Sequence, residues 1–167
     1  MTGAGLIHLK GQKTLRRLYL SNRHIGDAGL ASLKELTGLR ELQLGANDIS
    51  DAGLVHLSGL TNLRMLNLFS NDVGDKGVSH LKTLTALEWL DLSHTDVGDA
   101  GLAALKELKA LKYLDLYLTD VTDAGLGHLS GLTELRELYL TKSKVSEAAV
   151  ERLRHSLKKT KIVLSEG

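Results

Sequence analysis

The chain has 167 residues, and its 21 basic and 20 acidic residues leave a net charge of +1, which supplies no global attraction to nucleic acid or to a membrane surface. Hydrophobic residues make up 43%, enough for a core, but aromatics are only 4% and proline is absent, so the core is aliphatic and the turns form without proline. There is no cysteine, which excludes a disulfide framework, a thiol nucleophile and a cysteine-ligated zinc site.

The opening stretch, MTGAGLIHLKGQ, lacks the apolar run of a signal peptide, and no later segment is long and apolar enough to span a membrane. A cytoplasmic setting is expected. Gly3-Ala4-Gly5-Leu6 aligns with Asp27-Ala28-Gly29-Leu30, 24 residues on. Residues 1–14 are therefore expected to be a half-unit that caps the array and starts on a helix. Gln12 stands where positions 36, 60, 84, 108 and 132 carry leucine, a polar change suited to an exposed end.

From 15 to 146 one unit recurs every 24 residues. One apolar column reads Leu18, Leu42, Leu66, Leu90, Leu114, Leu138, Ile162, and a second runs two positions later from Leu20 to Leu164. A period this strict means a solenoid, whose units bury their apolar side only against neighbours. Leu87–Ala110 is the clearest copy. In LEWLDL the leucines alternate with Trp89 and Asp91, the period of a half-buried strand. Leu102, Leu105 and Leu108 then step by three along a short helix. Asp27, Asp51, Asp75, Asp99 and Asp123 fall at the helix starts, where a carboxylate accepts from free N–H groups.

Strands joined by single helices must run parallel. Strands stack at roughly 4.8 Å and helices at roughly 8–10 Å, so the array curves with its strands inside. The expected fold class is α/β: a single right-handed solenoid with about seven parallel strands on the concave face and about seven short helices on the convex face. Residues 147–167 form a C-terminal capping helix and strand, with Lys159 at a leucine position. Lys158, Lys159 and Lys161 beside the last strand discourage edge pairing, and a monomer is expected.

LxxLxLxxNxIxDAGLxxLxxL resembles the leucine-rich repeat, in a 24-residue form with a helical convex side, like bacterial T-D-A-G-L units and of ribonuclease-inhibitor-like architecture. The family's asparagine column corresponds to Arg23, Asn47, Asn71, Thr95, Thr119 and Ser143. The resemblance implies a curved parallel solenoid that binds proteins or peptides on its concave face.

Function must lie in the positions that vary. All six aromatic residues, Tyr19, Phe69, Trp89, Tyr113, Tyr117 and Tyr139, fall in columns that point to the concave face. Strand propensity recruits aromatics too, but it does not centre them on the middle units. Met65, Phe69, Trp89, Tyr113, Tyr117 and Leu118 are expected to form one patch, with His94 beside it, of the composition of a binding hot spot. Asp91 and Asp115 occupy the same place in adjacent strands, about 5 Å apart. One is expected to have a raised pKa, and together they offer a seat for a partner's Arg or Lys between Trp89 and Tyr113. The alternative for this pair is a solvated surface.

Basic residues at 16, 40, 64, 112 and 136, interrupted by Glu88, line one rim, and Asp48, Asp72, Asp96 and Asp120 line the other. They either orient a partner or simply solubilise the surface. Acids among the concave aromatics argue against a nucleic-acid groove. His8, His56, His80 and His128 share a helix position but lie too far apart for a metal. An open strand surface shields no reaction from water, so no catalytic residue and no cofactor are assigned. The expectation is a non-enzymatic module that binds a basic protein or peptide segment through Tyr19, Met65, Phe69, Trp89, Asp91, His94, Tyr113, Asp115, Tyr117, Leu118 and Tyr139. The alternative is a structural array, excised or engineered, with no partner of its own.

Overall fold

Leucines two apart, such as Leu90 and Leu92, project to one side of an extended chain, and their burial fixes where each strand lies. The computed structural model describes residues 3–164; Met1, Thr2 and residues 165–167 of the expected caps lie outside the described residues. The strands are β1 (Arg17–Tyr19), β2 (Glu41–Gln43), β3 (Met65–Asn67), β4 (Trp89–Asp91), β5 (Tyr113–Asp115), β6 (Glu137–Tyr139) and β7 (Lys161–Val163). They form one sheet in sequence order, with every neighbour parallel. The register never slips: Leu18 pairs with Leu42, and the same column continues through Leu66, Leu90, Leu114 and Leu138 to Ile162. From Leu42 to Leu138 this column is completely buried, as is the next from Leu44 to Leu140.

On the convex side the leucine spacing predicts short helices, and those found there are partly α and partly 3-10. The segments α1 (Gly26–Leu30), α2 (Asp51–Leu54), α3 (Asp75–Val78) and α4 (Asp99–Leu105) are α-helical, and α5 (Glu147–Ser156) closes the array. Val55–Leu57, Ser79–Thr83 and Gly125–Leu129 are 3-10 helix, as is Gly3–Leu9. The three-residue step explains this. Three residues make one 3-10 turn, so leucines at 30, 33, 36 and 39 stay on one face only if the backbone tightens. Each leucine N–H then bonds the carbonyl of the leucine before it, Leu33 to Leu30, Leu36 to Leu33 and Leu39 to Leu36, all at 2.9 Å.

The aspartate column also acts differently from its prediction. Asp51, Asp75 and Asp99 begin α2, α3 and α4, but their carboxylates reach into the following unit rather than capping their own helix. Asp75 Oδ1 accepts from the N–H groups of Gly98 and Gly101 at 2.7 and 2.8 Å, donors at the start of α4 that lack intrahelical partners. Asp51 accepts from Gly74, and Asp27 and Asp99 each take the amide and hydroxyl of Ser50 and Thr122. The glycine of D-A-G-L makes this approach possible. A Cβ at Gly53, Gly77, Gly101 or Gly125 would lie 2.3–2.7 Å from the preceding unit's carboxylate oxygen.

Candidate partner-binding face

Residues that alternate with the buried leucines project to the concave side of the sheet. Strand pairing puts Met65, Trp89, Tyr113 and Glu137 in one column and Asn67, Asp91, Asp115 and Tyr139 in another. Just beyond each of β1 to β6 the chain turns through the left-handed region: positions 22, 46, 70, 94, 118 and 142 all have φ between 52° and 59°. Leu118 is one of them, and its side chain is 45% exposed. A leucine held in this conformation costs about 1–2 kcal/mol relative to ordinary backbone.

The aromatic residues form two rows across the strands. Trp89 and Tyr113 stack with centroids 4.8 Å apart and planes within 10°, and Tyr113 meets Tyr139 at 5.4 Å. In the second row the His94 ring lies between Phe69 and Tyr117, at 5.0 and 5.1 Å. Lys142 Nζ stands 5.6 Å from the Tyr117 centroid. Such contacts add to what burial alone contributes. Met65 is in register with Trp89. Tyr19 is not part of the cluster: β2 separates it from the other aromatics, and its hydroxyl bonds Glu41.

The acidic pair is held by hydrogen bonds. Asp91 Oδ1 accepts from the Ser93 amide at 2.9 Å and hydroxyl at 2.5 Å, and Oδ2 from Asn67 Nδ2 at 3.1 Å. Asp115 accepts from the Tyr117 amide at 2.9 Å and the Tyr113 hydroxyl at 3.2 Å. Burial, above all, raises the Asp115 pKa against the pull of the Tyr117 hydrogen bond, and Asp91 adds to the rise. Burial and then Asp115 raise the Tyr113 hydroxyl. Desolvation, rather than the like-charge repulsion expected from the alignment, is the larger cause of the raised carboxyl. The cation seat also needs correcting. Rings stacked at 4.8 Å admit nothing between them, so a cation must meet the carboxylates directly. Each carboxylate offers about four acceptor positions, and neither pair member has all of them filled.

Two neighbouring side chains take part in ways the repeat alignment leaves open. Glu88 does not interrupt the basic rim but joins it, accepting from Arg64 Nη1 at 3.2 Å and Lys112 Nζ at 2.6 Å. Lys112 is the main reason its pKa is lowered. Asn67 positions Asp91. Both were visible in the 24-residue alignment, one unit away from the residues they touch. Among the described residues no group of three or more His, Asp or Glu side chains is placed to hold a metal ion.

Two family models match this sequence, each described as leucine-rich repeat, one over residues 13–73 and one over 79–106. The chain is a leucine-rich-repeat protein. A search among curated proteins returns no match. Among solved structures it is similar to internalin C2 of Listeria monocytogenes, with 24% identity and a TM-score of 0.78 over 94% of this chain. The chain spans 64% of that protein's length, and the likeness is one of fold. Leucine-rich repeats generally bind proteins, which makes a protein-interaction module the broad functional class.

The repeat's asparagine column keeps asparagine at two of its six positions. Asn71 Nδ2 donates to Leu44 O of the preceding unit at 3.0 Å and to Leu68 O of its own at 2.9 Å, while its Oδ1 accepts from the Asn47 and Ile49 amides. Asn47 repeats this toward Leu20 and Arg23. Thr119 and Ser143 bond only the carbonyl three residues back in their own unit.

Proposed function

We propose that this leucine-rich-repeat protein acts as a monomeric, non-enzymatic module whose concave face, from β3 to β6, grips an extended basic segment of a protein partner. The observation that carries this is the pair of aromatic rows, laid across neighbouring strands on the side of the sheet away from the core and interleaved with the Asp91–Asp115 pair. Aromatic anchors around partly desolvated carboxylates are the composition of an interface centre. Stacking already fixes the Trp89 and Tyr113 rings, so little side-chain entropy is lost on binding. The unused lone pairs of the two carboxylates suit the forked donors of arginine. Acids among the aromatics disfavour a phosphate backbone on this face.

Selection from a random peptide display library tests the proposal. Peptides retained by the wild type should be enriched in Arg and Lys beside apolar residues, and Trp89→Ala/Tyr113→Ala should retain none of them while melting at a similar temperature. A library that returns no enriched sequence, or one retained equally by the double variant, favours a structural array without a dedicated partner.

A further inference from the structure

Three arginines immediately precede successive strands, one repeat apart. Arg16 O accepts the amides of Arg40 and Glu41 at 2.8 and 3.0 Å, and Arg40 O accepts those of Arg64 and Met65 at the same distances. This pairing holds the three residues at strand spacing, roughly 4.8 Å. With Arg17 and Glu41 they line a pocket of about 310 Å³ at the strand-start rim. Local acids answer only part of this charge. Arg17 pairs with Glu41, and Arg64 with a Glu88 it shares with Lys112. Arg40 makes no ion pair and no side-chain hydrogen bond among the described residues.

Arg16 is held as a built feature. Its Nη1 donates to Lys13 O at 3.0 Å and Gly38 O at 3.1 Å. A Cβ at position 38 would lie 2.1 Å from that nitrogen and 1.9 Å from Lys13 O. Glycine occurs at this column only there: the equivalent residues are Thr14, Asn62, Ala86, Ala110 and Glu134. The one unit without a side chain at that point is the one whose neighbour's guanidinium needs the space.

We propose that this pocket binds a phosphate monoester, with the fixed Arg16 and the unpaired Arg40 as principal donors and Arg17 and Arg64 lending charge. Guanidinium forks match phosphate oxygens bidentately. A group of charge about −1.5 to −2 with three acceptor oxygens answers the surplus better than a single carboxylate does. The site is separate from the aromatic rows and stands whether or not they bind a peptide.

The test is a titration of the full chain with phenyl phosphate, followed through the arginine Nε–Hε NMR signals at about 0.15 M salt, where weak long-range attraction is screened. Saturable shifts at Arg40 and Arg16 are expected, about tenfold weaker in Arg40→Gln, several-fold weaker in Arg40→Lys, and unchanged in Trp89→Ala/Tyr113→Ala. Affinity should fall as the pH drops below about 6, where the dianion gains a proton. Repeating the titration with N-acetylphosphoserine amide and with ribose 5-phosphate shows whether a phosphorylated side chain or a small phosphate ester fits better. Shifts that do not saturate, equal binding of benzoate, or an Arg40→Lys variant that binds like wild type would overturn the proposal.

Discussion

Leu118 illustrates how a repeating backbone constrains single residues on the concave face. The turn after each of β1 to β6 takes a positive φ whatever the side chain, and leucine is poorly suited to it. Asparagine tolerates this region. Leu118→Asn should therefore be neutral or stabilising by up to about 1 kcal/mol in thermal unfolding, while weakening peptide binding; a clear loss of stability would show that the leucine is structural. Asp115 gives a pH signature. Its folded pKa is raised, chiefly by burial, so it contributes stability at acid pH that is lost as the pH rises through the folded value. A cation bound beside it favours the ionised form. Affinity for a basic peptide should thus grow as the pH rises through that value, with a proton released on binding, and Asp115→Asn should flatten the dependence. The concave columns were legible from residue alignment alone. Which rings touch was not, because the Trp89–Tyr113 stack and the His94 bridge depend on side-chain rotation and on the left-handed turn.

Within each unit, the strand follows directly from the alternation of leucines, and the three-residue leucine step was plain in the sequence. The step alone leaves the kind of helix open, since periodicity near three suits both an α-helix and the tighter 3-10 form until hydrogen bonds are known. The aspartates were placed at the right position but assigned to the wrong helix. A carboxylate at a helix start normally serves that helix, and only the bare glycine of the next unit lets Asp75 come within 2.8 Å of the Gly101 amide. Gly101→Ala should then cost about 1–3 kcal/mol through overpacking. The cost should shrink in an Asp75→Ala background, where the obstructing carboxylate is gone. A double-mutant cycle by denaturant unfolding measures this coupling, and additive losses would contradict the contact.

Across the whole chain, stability is distributed along one dimension, each unit resting on its neighbours. Leu90 is fully buried in the middle of the stack, so Leu90→Ala should cost about 2–5 kcal/mol and lower hydrogen-exchange protection most in β3 to β5. The two halves of the array are held differently. Asparagines join the units around β2 and β3, whereas Thr119 and Ser143 stay within their own. The same strand alternation that buries the leucines puts Trp89, Asp91, Tyr113 and Asp115 on one inner surface, and that surface is where we propose that recognition occurs. Amide chemical-shift mapping with a library-selected basic peptide locates the partner most directly. The expected result is perturbation centred on β3 to β6, with the single Trp89 indole signal among the largest shifts. Shifts confined to the convex helices or to the ends of the array would contradict it.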